Sequence, residues 1–154
     1  MTATVETIGS ILRAESHVIL ERDAASVYDF LADGLNNTLW RPSVRSVALV
    51  RGEHARVGAV YRQVLIGPGR RDIAGDYEIT DAIRSNELRF RVIAGTVRPT
   101  GRYSLASRPD GTTVVSFSLE VEPRGTMHLR RGPIRRAMAS EVEHIASLRG
   151  LLDA

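Results

Sequence analysis

Few side chains in this chain have the type and spacing for chemistry. Glu141 and His144 lie three residues apart in a stretch of helical periodicity, so they neighbour each other on one helix face and are the candidate general acid/base couple. A half-exposed surface contact has the same spacing, and that alternative stays open. His17, His54, His128 and His144 lack ligand spacing such as His-Glu-x-x-His, so neither a metal nor a cofactor is expected. His17, between Ser16 and Val18, reads as a side chain satisfied at a sheet surface. The absence of cysteine excludes thiolate metal sites and cysteine nucleophiles, and all 21 basic residues are arginine, which excludes Schiff-base catalysis by lysine. No Gly-x-Ser-x-Gly elbow occurs, and Gly67-Pro68-Gly69-Arg70 is too short for a phosphate loop and reads as a turn.

The aromatic residues are more informative. Tyr61, Tyr77 and Tyr103 fall in segments that alternate like strands, and they share a predicted inner face with Phe90 and Phe117. A tyrosine offers an apolar ring and a hydroxyl, so such a set suits the wall of a site that wraps a planar or hydrophobic ligand and hydrogen-bonds its oxygens. Plain core packing is the competing account. Trp40, the only tryptophan, stands in an irregular stretch and either gates a cavity mouth or plugs the domain beneath its loop; the plug is favoured. Met138 and Val142 belong to an apolar helical stripe and complete the candidate ligand-binding set, Met138 as an adaptable wall or as core.

The elements that must position these residues can be read from periodicity. Glu15 to Glu21 predicts a first strand, Ala24 to Ala32 a short helix that buries Val27, Phe30 and Leu31, and Asp33 to Pro42 a loop or single helical turn. Strands are expected at about 44–50, 58–66, 70–81, 87–94, 96–107 and 112–122, with turns at Gly67-Pro68-Gly69, Ser85-Asn86 and Pro109-Asp110-Gly111. Ile73, Gly75, Tyr77 and Ile79 alternate with charged or polar residues, as do Leu88, Phe90 and Val92, and Val115, Phe117, Leu119 and Val121. One face of the antiparallel sheet is therefore apolar and the other wetted. Between 58 and 66 either Tyr61, Gln63 and Leu65 or Val60, Val64 and Ile66 face inward, and Tyr61 inward is preferred. From Gly132-Pro133 a helix runs to the end, and Ile134, Met138, Val142, Ile145, Leu148 and Leu152 form its buried stripe. The expected fold is α+β, a curved antiparallel sheet of about seven strands wrapped around a long C-terminal helix.

The order of these elements carries a resemblance. Ala24-Ala25-Ser26-Val27-Tyr28-Asp29-Phe30-Leu31, Leu39-Trp40-Arg41-Pro42-Ser43-Val44, Arg56-Val57-Gly58-Ala59 and Ile145-Ala146-Ser147-Leu148-Arg149-Gly150-Leu151-Leu152 resemble the START-like helix-grip superfamily, within it the SRPBCC or polyketide cyclase/dehydrase and lipid-transport group. The resemblance covers about residues 15–153. It implies a sheet gripping the last helix around an apolar cavity, and it does not imply a catalytic set.

Length and charge bound the remaining readings. At 154 residues and 43% hydrophobic the chain is expected to form a single domain over 1–154, with 1–13 a loosely ordered N-terminal arm. No targeting or membrane-spanning stretch is read, so a cytoplasmic location is expected. The net charge is only +3 and the arginines are scattered among 18 acidic residues, which argues against nucleic acid. The local cluster Arg124, Arg130, Arg131, Arg135 and Arg136 leaves weak contact with an anionic ligand or membrane surface open. The expected function is binding of a small hydrophobic or aromatic molecule, a lipid, polyketide or isoprenoid-like compound, between the sheet and the C-terminal helix. Two alternatives stand beside it: a polyketide cyclase/dehydratase-type enzyme using an acid/base residue in that cavity, and a protein-interaction module resembling chaperone activators, with a small filled interior and an exposed apolar patch.

Overall fold

Asp23 begins the first helix by accepting hydrogen bonds from the Ser26 amide at 3.0 Å and its hydroxyl at 2.7 Å, an N-cap that closes helix α1 (Ala24–Ala32) at its start. Val27, Tyr28 and Leu31 form its buried face, while Phe30 is only partly buried. Asp33 then caps a single 3₁₀ turn by accepting from the Leu35 amide, and α2 (Asn37–Trp40) follows. In the computed structural model, which describes residues 3–153, the strands are β1 (Thr4–Ile8), β2 (Ile11–Leu20), β3 (Val44–Arg51), β4 (Val60–Ile66), β5 (Asp72–Ala74), β6 (Tyr77–Ile83), β7 (Glu87–Val92), β8 (Thr100–Ser107) and β9 (Thr113–Val121). They form one antiparallel sheet in the order β1-β2-β9-β8-β7-β6-β4-β3, with the short β5 paired beside β4.

The inner face is apolar as the alternation predicts: Tyr77, Ile79, Leu88, Phe90, Tyr103, Leu105, Val115 and Phe117 are all buried, and Tyr61 points inward. Helix α3 (Arg131–Glu143), a 3₁₀ turn over His144–Ser147 and α4 (Leu148–Leu152) make up the closing helix, which packs on β2 and β9, while α1 lies over β7 and β8. Where the periodicity predicts one continuous helix, the 3₁₀ turn intervenes. Its cause is legible in the spacing. Val142, Ile145 and Leu148 recur every three residues, and a turn of three residues keeps all three fully buried where an α-helical turn would rotate them off the stripe.

Two further expectations are corrected. Thr4–Ile8, inside the segment expected to be a loose arm, pairs with Ile11–Glu15 through a tight turn at Gly9, whose φ of 62° suits glycine. The expected strand over 70–81 is divided, because β4 leaves β5 and pairs with β6 at Gly75-Asp76, where the Gly75 amide donates to the Gln63 carbonyl and the Asp76 carboxylate accepts from the Gln63 amide. Ile73 lies on the short outer piece and is 40% exposed rather than part of the inner face.

One close approach fixes the middle of the sheet. Gly101 lies opposite Phe90, and a Cβ on Gly101 would stand 2.0 Å from the Phe90 ring. Gly101→Ala is expected to lower unfolding free energy by about 1–3 kcal/mol, read from denaturant midpoints, because a buried ring flanked by Tyr77, Tyr103 and Phe117 has little room to move.

Candidate functional site

Six rings form a continuous row across the inner face. Tyr61 stacks on Tyr77 with centroids 5.2 Å apart, Tyr77 meets Phe90 at 5.2 Å, Phe90 meets Tyr103 at 5.8 Å, Tyr103 meets Phe117 at 4.7 Å, and Phe117 meets Trp40 at 5.9 Å. Strand pairing sets this row, since Tyr61 lies opposite Tyr77 and Tyr103 opposite Phe117 in the ladder.

Charge is set into the row. Arg41, immediately after α2, is only 6% exposed, and its Nε donates to Glu141 Oε1 on α3 at 2.7 Å. The guanidinium carbon lies 5.8 Å from the Trp40 ring centroid and 5.9 Å from that of Phe117. Ser43 donates to the same carboxylate oxygen at 2.8 Å, while His144 Nδ1 stands 3.8 Å away, too far for a hydrogen bond. Burial by itself would raise the Glu141 pKa, but the adjacent Arg41 charge and the Ser43 hydroxyl outweigh it and hold the carboxyl at about 2. Burial likewise opposes the Arg41 charge, and Glu141 more than compensates. Burial also pushes the Tyr103 hydroxyl up to about 12, against the pull of Arg41, and raises that of Tyr77.

A second polar group adjoins the first. Asn37 Nδ2, on α2, donates to Gln63 Oε1 at 2.9 Å and to the Tyr77 hydroxyl at 3.0 Å, all three residues being buried. Arg41, Asn37, Tyr77 and Tyr103 converge on a small interior space of about 10 Å³, whose other walls are Leu31, Ala32, Leu88 and Phe90. That volume holds at most about one water. It lies beneath α1 and α2 rather than beneath the closing helix. A larger hollow of about 320 Å³ is on the solvent-facing side of the sheet, but its arginines Arg13, Arg89, Arg91 and Arg102 are already paired with carboxylates.

The sequence-predicted residues divide accordingly. Tyr77, Phe90 and Tyr103 border the interior space. Trp40 is a plug, 2% exposed, and Tyr61, Phe117, Met138 and Val142 are buried packing. The Tyr61 hydroxyl turns away from the space, accepting from the Ala55 amide at 3.0 Å and meeting His54 Nδ1 at 3.3 Å. Glu141 and His144 are brought together, but Glu141 is occupied by Arg41 and Ser43. A carboxylate held at about 2 carries no proton at neutral pH and is a weak base, so the pair is a poor acid/base couple. Arg41, Asn37, Ser43 and Gln63 were missed. Gln63 alone left a signal, a polar residue at an inward position between Tyr61 and Leu65. Among the described residues no group of three His, Asp or Glu side chains is placed to hold a metal ion, and no helix is long and apolar enough to cross a membrane.

A curled antiparallel sheet holding a C-terminal helix, with a helical segment after the β1–β2 hairpin, is the START-like helix-grip architecture. The chain belongs to the polyketide cyclase / dehydrase and lipid transport family, whose model matches residues 12–151. It is similar in fold to a START superfamily protein from Mycobacterium smegmatis at 16% identity, covering 91% of this chain and 96% of that one with a TM-score of 0.73. It is likewise similar to major latex-like protein 151 from Panax ginseng at 13% identity, covering 92% and 99% with a TM-score of 0.71. A protein from Thermus thermophilus shares 22% identity over 90% of this chain and 93% of that one, with a TM-score of 0.69. No curated protein sequence matches the chain.

The ion pair generates a signed prediction. Glu141 has a folded pKa below its ordinary 4.5, so its stabilisation is complete above that value and is lost as pH falls from about 4.5 toward about 2. Glu141→Gln is expected to cost about 3–5 kcal/mol at neutral pH, because Arg41 stays buried without its counter-charge. The acid limb of the stability curve flattens in the same variant. Urea unfolding of both proteins across the acid range reads both effects, and a loss under about 1 kcal/mol would contradict the assignment.

Proposed function

We propose that the protein binds a small hydrophobic or aromatic molecule, of the lipid, polyketide or isoprenoid-like class, in the space bounded by the sheet and the α1–α2 segment. The observation that carries this reading is the convergence of Arg41, Asn37, Tyr77 and Tyr103 on one apolar-walled interior space. Packing alone has no use for a guanidinium there: a well-packed apolar core is as stable as a buried ion pair or more so. Aromatic and aliphatic walls would supply affinity by burial, and the tyrosine hydroxyls, which keep their protons at neutral pH, would orient the ligand's oxygens. Membership of a family whose description includes lipid transport supports the same class.

Ligand pockets span about 300–1,000 Å³, so binding requires the α1–α2 segment or the rings to yield. The small interior also favours a second reading, a protein-interaction module, for which Leu35 at 42% and Leu39 at 60% exposure, on the same helical segment, would be contact residues. Native mass spectrometry of the purified protein, with Trp40 fluorescence titrations of long-chain carboxylates and anilinonaphthalene sulfonate, separates the two. The expected result is a stoichiometric adduct or saturable binding, weakened about fivefold by Tyr103→Phe for ligands with a polar end. A bare mass with no saturable response to either probe would contradict ligand binding and leave the interaction module.

A further inference from the structure

One end of the molecule is unlike the rest. After β9 the chain passes through a 3₁₀ segment, Gly125–Arg130, into α3, and Leu129 in this segment is 87% exposed, the most exposed large apolar side chain among the described residues. The β1–β2 hairpin tip lies beside it. Arg131 Nη1 approaches the Ser10 carbonyl at 3.5 Å, and Ser10 Oγ donates to Glu122 at 2.8 Å, so Ile8, itself 56% exposed, shares this end. Arg124, Arg130 and Arg131 lie close to Leu129 along the chain, and Arg135 and Arg136 follow in the first two turns of α3. Only Arg124 has a carboxylate partner within reach, Glu122 at 3.5 Å, and among the described residues Arg130, Arg135 and Arg136 form no ion pair. This contrasts with the sheet's outer face, where Arg13, Arg89, Arg91 and Arg102 are each bound to carboxylates.

From this placement we infer that the Leu129 end is a docking surface for an anionic lipid membrane. Charge complementarity and exposed aliphatic side chains coincide at this end. Five arginines, of which among the described residues only Arg124 is within ion-pair distance of a carboxylate, attract an anionic headgroup layer, and Leu129 with Ile8 enters the acyl boundary, a combination that a peripheral protein uses to sit on a bilayer without crossing it. Nucleic acid fits less well, because no Phe, Tyr or Trp lies within residues 124–136 for stacking and Leu129 has no role at a phosphate backbone. Guanidiniums at the start of α3 also oppose the helix dipole, and an anionic surface would relieve this repulsion. The inference stands on this surface alone and does not depend on what the interior binds.

The test is co-sedimentation with vesicles of phosphatidylcholine alone and of phosphatidylcholine mixed with phosphatidylglycerol, at low salt and at about 0.5 M salt, where screening shortens to a few ångströms. The expected result is binding to the mixed vesicles only, abolished by salt. Arg130→Gln, Arg135→Gln and Arg136→Gln together should weaken it about a hundredfold, near fivefold for each charge. Leu129→Ser should weaken it about tenfold. All four positions are exposed, so folding should be unaffected, and the single Leu129 variant keeps the test decisive if the triple variant is lost. Absence of binding, equal binding to uncharged vesicles, unchanged binding by the variants, or tighter binding to a DNA duplex than to the mixed vesicles would overturn the inference.

Discussion

A charge cannot stay in a protein interior without a partner, and the Arg41–Glu141 pair is the point at which this chain meets that constraint. The arginine comes from the end of the first helical segment and the glutamate from the closing helix, 100 residues later. Their bond ties the two helical covers of the sheet to each other, and Ser147, donating to the Trp40 carbonyl at 2.6 Å, reinforces the same seam. The neighbouring elements are arranged around this pair. Ser43 at the head of β3 completes the carboxylate's hydrogen bonds, and Trp40 and Phe117 flank the guanidinium.

The aromatic row and the ion pair together define what an occupant would have to do. It would have to replace ring-to-ring contacts with contacts to itself, and it would have to offer oxygens to the hydroxyls of Tyr77 and Tyr103. Trp40 Nε1 and Ser16 Oγ, both buried without a hydrogen-bond partner, lie on the Phe117 side of the row and add two unused polar groups. The solvent-facing side of the sheet has the opposite character, with arginines and carboxylates paired along the strands.

Much of the architecture was legible before any coordinates. Period-two alternation placed Phe90, Tyr103 and Phe117 on the inner face, and the four- and three-residue spacings from Ile134 to Leu152 marked the helix that covers it. The N-terminal hairpin was harder, because β1 is short, mostly exposed and lacks a clear apolar side; Gly9-Ser10 between two β-branched stretches was its only signal. The Arg41–Glu141 pair had no local signal. An arginine in a Gly- and Asn-rich stretch reads as solvated, and a partner 100 residues away is visible only once the sheet has brought both ends together. The position of the interior space under α1 and α2 depends on how far each helix extends across the sheet, which periodicity does not encode.

The central proposal is that the α1–α2 segment, tied to α3 through Arg41–Glu141, yields together with the rings to admit a ligand, while the strand backbones stay fixed. Hydrogen–deuterium exchange by mass spectrometry, on the protein with and without a saturating long-chain carboxylate, addresses it most directly. The expected result is faster exchange over residues 33–41 and 131–147 than over β2 and β9 without ligand, and selective slowing of those two segments when ligand is added. Uniform protection across sheet and helices, unchanged by ligand, would contradict it.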